Sequence, residues 1–155
     1  MAVTRRLGTF SFLGAVVVLG LMVAAGAASA EAQVAPKTVW SGVYTDAQAA
    51  RGKQVYARAC TYCHLDDLSG SLEDNAPALV DSAFADRWRD QSVARMIRWV
   101  AGNMPKKGTG ALKAQEYLDV VAYLFQANEV PAGAVELPLD LSQLQDVLIV
   151  DRPAR

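Results

Sequence analysis

Cys60-Thr61-Tyr62-Cys63-His64 holds both cysteines of this 155-residue chain and its only histidine. Thiols three positions apart on a helical turn lie on one face, and the imidazole follows the second of them directly. The pentapeptide is therefore a compact donor set. A structural zinc site would need further Cys or His ligands, and none remain in the chain. A disulfide between residues three apart on one helix would constrain little. A thioredoxin-like thiol pair belongs in a cytosolic βαβ context.

The start of the chain points out of the cytosol. Arg5 and Arg6 precede an uncharged apolar run from Leu7 to Ala25 and then Ala28-Ser29-Ala30, the pattern of a secretory signal with a small-residue cleavage site. Residues 1–30 are expected to be a signal peptide, with the mature chain starting at Glu31 in the periplasm or another extracytoplasmic space. An uncleaved membrane anchor is the alternative, since the run together with Gly26 to Ala30 approaches the ~20 residues that span a bilayer. Gly8 and Thr9 stand where a twin-arginine signal wants an apolar pair. Of the 15 basic residues, Arg5 and Arg6 fall in this leader, which leaves 13 against 16 acidic ones, a net charge of −3. No basic stripe survives in the mature part, which excludes nucleic acid as a partner.

Residues 31–39, Ala-rich with Pro36, read as a linker. Thr45 followed by Gln48 has the form of a capping box, and a first helix is expected from Asp46 to Cys60, with Ala49, Gly52, Val55, Tyr56 and Ala59 on its inward stripe. Leu65 to Ala76 has loop composition. Phe84 to Ala101 predicts one or two short helices, with Ser92 as a cap, ended by Gly102-Asn103-Met104-Pro105. The last patterned helix is expected over Ala114 to Asn128, where Lys113 makes a poor cap. Pro131, Pro138 and Pro153 rule out one long helix in the tail, although Leu141, Leu144 and Leu148 suit a short amphipathic turn. No strand pattern longer than a few residues appears, so the expected fold is all-α.

In an exported helical chain, two thiols on one face can each form a thioether with a vinyl group of one haem. His64 is then brought beneath the macrocycle to bind iron through one ring nitrogen. The sixth iron position decides function, and the mature chain offers Met96 and Met104. Met96 sits inside a helical pattern, the usual setting of a core methionine. Met104 lies in a loop before Pro105, whose fixed φ stiffens the approach, and is the preferred ligand; an open site is the remaining alternative. The Pro77 carbonyl is a candidate acceptor for the free ring N–H of His64, or Pro77 marks a plain turn. Trp88 and Trp99 are either propionate donors or core. Lys106 and Lys107 either meet an acidic partner or form a solvated turn.

With these residues assembled, Trp40 to Asn128 resembles the class I c-type cytochromes. In that family an N-terminal helix carries a glycine and, four residues on, an aromatic, which cross the C-terminal helix at close range. Gly52 and Tyr56 match that pair, and the resemblance implies Val120 and Tyr123 as their counterparts. Pro77-Ala78-Leu79 matches the family's Pro-x-Leu, which implies the Pro77 carbonyl as partner of His64. Asn103-Met104-Pro105 looks like its axial-methionine loop. The resemblance thus implies a small cytochrome c-like helical domain at 40–128 enclosing one haem c, bound through Cys60 and Cys63 and ligated by His64 and Met104. The implied role is an electron carrier rather than an enzyme, shuttling between redox protein partners, a quinoprotein dehydrogenase among them. The rivals are a fixed cytochrome subunit of a dehydrogenase or oxidase complex and a haem enzyme or gas sensor with an open sixth site. Membrane contact is expected only if the leader is retained. The extension at 129–155 lies outside the family core.

Overall fold

The computed structural model describes residues 37–108 and 110–154; the expected signal peptide and residues 31–36 of the expected linker lie outside the described residues. Five helices carry the fold: α1 (Asp46–Ala59), α2 (Thr61–His64), α3 (Asp81–Trp88), α4 (Val93–Asn103) and α5 (Ala114–Ala127). Short 3-10 turns stand at Val39–Ser41 and Leu141–Leu144. Among the described residues no strand forms, only isolated bridges such as Thr38 with Leu148, and the domain is all-α. No described helix is long and apolar enough to cross a membrane.

The helix starts follow from side chains that satisfy otherwise orphaned N–H groups. Thr45 Oγ1 accepts from the Gln48 N–H at 3.1 Å, and Ser92 Oγ accepts from that of Arg95 at 3.2 Å. Only half of the expected capping box at Thr45 forms. The Gln48 amide turns inward instead, accepting from Leu137 N–H at 2.8 Å and donating to Leu137 carbonyl at 3.3 Å. At α5 the Glu116 carboxylate reaches back to accept the Lys113 N–H at 2.8 Å, so this helix does have a marked start.

α5 is buried on nearly every side, with Tyr117, Leu118, Val120, Val121, Ala122, Leu124 and Phe125 all in the core. Its closest neighbour is α1. The crossing occurs at Gly52, where an added Cβ would stand 1.8 Å from the Asp119 carbonyl oxygen and 3.0 Å from Tyr123 Cβ. Glycine is required there because two helix backbones touch. The Tyr56 and Tyr123 rings pack one turn on, with centroids 5.3 Å apart. The closest approach to Gly52 is made by the backbone of Asp119, one residue before Val120, with Tyr123 beside it. Beside the crossing Arg51 holds Asp119 through two bonds, at 3.0 and 3.1 Å, and also pairs with Glu136 at 2.7 Å.

The tail is packed. Val130, Leu137, Leu144, Val147 and Ile149 are buried in the same core as the helices. Tyr44 Oη donates to the Val130 carbonyl at 2.6 Å, and burial pushes this phenol up to about 12. Further on, the 147–149 segment lies between two others. Val93 N–H donates to Val147 O and Ile149 N–H to Gln91 O, both at 2.9 Å. On its other side Leu148 N–H donates to Lys37 O at 2.9 Å and Val39 N–H to Leu148 O at 3.0 Å. Residues 37–39, read from the sequence as the end of a linker, are therefore hydrogen-bonded into the body, with Val39 fully buried. The tail covers apolar surface that α1 and α4 would otherwise leave in water.

Candidate functional site

α1 ends at Ala59 and the chain turns directly into α2, with Cys63 and His64 N–H groups both donating to the Cys60 carbonyl, at 3.2 and 2.9 Å. This winding sets Cys60, Cys63 and His64 on one tight turn. Tyr56 fixes its far end, since its buried hydroxyl donates to the Leu65 carbonyl at 2.7 Å. Both thiols are free and half-buried. Burial pushes the Cys60 thiol up to about 11.

His64 is buried, and its Nδ1 lies 2.9 Å from the carbonyl oxygen of Pro77. A carbonyl can only accept, so this contact puts the ring proton on Nδ1 and directs the lone pair of Nε2 elsewhere. Pro77 is held in turn by its surroundings. Gly70, at φ +78, comes so close that a Cβ there would stand 2.4 Å from Ala76 O and 2.5 Å from Pro77 C. Leu79 N–H donates to Leu68 O at 2.8 Å, and Asn128 Nδ2 donates to Leu79 O at 3.0 Å. A thiol pair beside an imidazole whose outer nitrogen is fixed by a carbonyl suits a covalently held haem iron.

Met104 caps the C-terminus of α4, donating its N–H to Val100 O at 2.8 Å. Its side chain is half-buried and packs against the apolar core. Met96 is fully buried in that core. The segment after Met104 approaches the cysteine turn, with Lys107 Nζ 4.7 Å from the ring centroid of Tyr62, which stands between the cysteines and is 72 % exposed. Trp88 and Trp99 pack edge to face at 5.6 Å, and Arg87 lies over both, at 4.9 and 4.7 Å. The third tryptophan is engaged, Trp40 Nε1 donating to Val150 O at 2.9 Å.

Sequence reasoning missed one contributor here. Helical spacing turns the Tyr117 ring inward but gives no sign that its hydroxyl donates to Met104 O and accepts from Gly110 N–H, both at 3.1 Å. Among the described residues no group of three or more His, Cys, Asp or Glu could hold a metal ion. Cleft space of about 280 Å³ between Trp40, Phe84, Asn128 and Arg152 is lined by none of the residues of the cysteine turn. The family model described as "Cytochrome C oxidase, cbb3-type, subunit III" matches residues 47–124, half of the chain. No curated protein and no solved structure matches it.

Proposed function

Because the chain belongs to the cbb3-type cytochrome c oxidase subunit III family and is a c-type cytochrome, we infer that it carries one electron at a time on a single haem. The family implies a covalent haem and electron transfer. In this reading Cys60 and Cys63 would hold the haem covalently, and His64 and Met104 would ligate its iron. When bound, the haem supplies a one-electron iron couple. The protein's part is to hold the two ligands still: Pro77 O orients the His64 ring, and the Val100 carbonyl fixes the backbone of Met104. With both ligands supplied by the chain, a substrate would find no open position on the metal. That suits a carrier rather than an enzyme.

The observation that carries this reading is the approach of the Met104 segment to the cysteine turn, seen in the Lys107–Tyr62 contact. The proposed setting is extracytoplasmic, after removal of residues 1–30, with electrons passing between a dehydrogenase or respiratory donor and an acceptor. A fixed subunit of an oxidase complex is the second reading, favoured by the description of the matching family. Co-purification with a large enzyme subunit separates it from a free shuttle. The site is tested by optical spectra of the matured protein beside Met104→Ala. The wild type is expected to show the long-wavelength methionine–iron(III) band and the variant to lose it while keeping its haem on a denaturing gel. A band that survives the substitution refutes Met104 ligation. Rapid carbon monoxide binding by the reduced wild type would point to an open sixth site.

A further inference from the structure

We propose that the Tyr117 hydroxyl is a clamp that positions Met104, controlling how readily its thioether leaves the iron. The proposal rests on Met104 being the ligand. One oxygen atom joins the two ends of the loop: Tyr117 Oη donates to the Met104 carbonyl and accepts from the Gly110 N–H, each at 3.1 Å. Between these ends the chain runs through exposed Lys106, Lys107 and Gly108, and loops of this kind open locally at low free energy. Gly110, at φ +81, bends the chain back, and Ala111 N–H closes a turn on Gly108 O at 2.9 Å.

The clamp itself is anchored. Tyr117 is 5 % exposed, on the first turn of α5. The neighbouring Glu116 both caps that turn, through the Lys113 N–H, and pairs with Arg58, two residues before Cys60. The helix start that fastens the Met104 loop is thus tied to the helix that leads into the first cysteine. Removing the hydroxyl leaves the ring to fill the core but breaks the link between the two ends of the loop. Two hydrogen bonds at the usual net strength make opening about tenfold easier, which is about 1.4 kcal/mol.

The test uses the matured full-length protein as wild type, Tyr117→Phe and Tyr44→Phe. The last removes another buried hydroxyl, which bonds Val130 O in the tail. Imidazole is titrated into the ferric proteins and displacement is followed by loss of the methionine–iron(III) band. Amide hydrogen exchange across 104–111 is read by mass spectrometry. The expected result is about tenfold tighter apparent imidazole binding and about tenfold faster loop exchange in Tyr117→Phe. Tyr44→Phe should move neither, although its unfolding midpoint falls. A purely structural role would make the two variants alike. Imidazole affinity in Tyr117→Phe within twofold of wild type overturns the clamp alone, whereas a wild type without the band overturns Met104 ligation and the clamp with it. Should Tyr117→Phe not fold, the wild type decides: a Gly110 amide exchanging as fast as free peptide overturns the proposal, and one slowed at least tenfold supports it.

Discussion

Replacing Gly52 by alanine should force the two central helices apart. The added Cβ would lie 1.8 Å from the Asp119 carbonyl oxygen and 2.4 Å from its carbon. Contacts of real Cβ atoms essentially never fall under 3.0 Å, and the obstacle is helix backbone, which cannot rotate aside as a side chain would. To relieve it, α1 and α5 must separate locally by more than about 1 Å, and a gap of that size already forfeits a quarter to a half of each dispersion contact across the seam. Overpacking of a tight core costs about 1–3 kcal/mol. The same shift also stretches the two Arg51–Asp119 hydrogen bonds, at 3.0 and 3.1 Å. A loss of about 3 kcal/mol is therefore expected, a large part of the ~5–15 kcal/mol by which domains are stable. Urea unfolding followed by helical circular dichroism reads it, with Gly102→Ala in α4 as control. A Cβ at Gly102 meets nothing within 4 Å, so that change should be neutral or stabilising by up to about 1 kcal/mol. Gly52→Ala within about 0.5 kcal/mol of wild type would refute the close crossing.

Two further outcomes follow from the tail. The Arg51 guanidinium beside Glu136 holds that carboxyl below its usual value, so the pairing stabilises the fold above the ordinary glutamate range and is lost as pH falls through the lowered folded value. Glu136→Gln should thus melt below wild type at pH 7, by an amount worth at most ~1 kcal/mol for so exposed a pair, with the gap closing as pH falls below the ordinary glutamate range; a gap independent of pH contradicts this. Deleting residues 129–155 removes Val130, Leu137, Leu144, Val147 and Ile149 from the core. At about 1.5–3 kcal/mol each this is as large as a typical domain's whole stability, so no cooperative unfolding transition should remain. A truncated protein that unfolds cooperatively would show the tail to be a separable appendage.

Local chemistry was legible where it is local. Thr45 and Ser92 were readable as caps because their partners lie three residues on. Glu116 carried the same signal at α5, three residues after Lys113, and was overlooked because Lys113 itself is no capping residue. What the sequence could not convey is contact between distant segments. Gln48 looked like half of a capping box, yet its amide is taken by Leu137, 89 residues away. Trp40 bonds Val150 across 110 residues. The tail advertised its apolar side through Leu141, Leu144 and Leu148, but its partners are backbone groups at 37–39 and 91–93, which have no sequence signature. Tyr117 fails for the same reason. Helical spacing says that its ring is inside, and only the path of the 104–110 loop says what its hydroxyl meets.

α5 fastens both sides of the proposed haem site from its two ends. At one end Tyr117 holds the Met104 segment. At the other Asn128 donates to Leu79 O at 3.0 Å and accepts from the Asp81 N–H at 3.1 Å, gripping the chain just beyond Pro77. Tyr117 and Asn128 are separated by about 16 Å of helix at 1.5 Å per residue. Between them α1, which leads into the cysteine turn, is locked against the same helix at Gly52. The segment behind His64, the segment carrying Met104 and the helix ahead of Cys60 are thus referenced to one buried rod. A change in the His64-to-Met104 spacing would have to bend that rod or break its end contacts. A one-electron carrier with the proposed ligands would need such a frame, since an electron that arrives without moving them leaves no structural rearrangement to slow its departure.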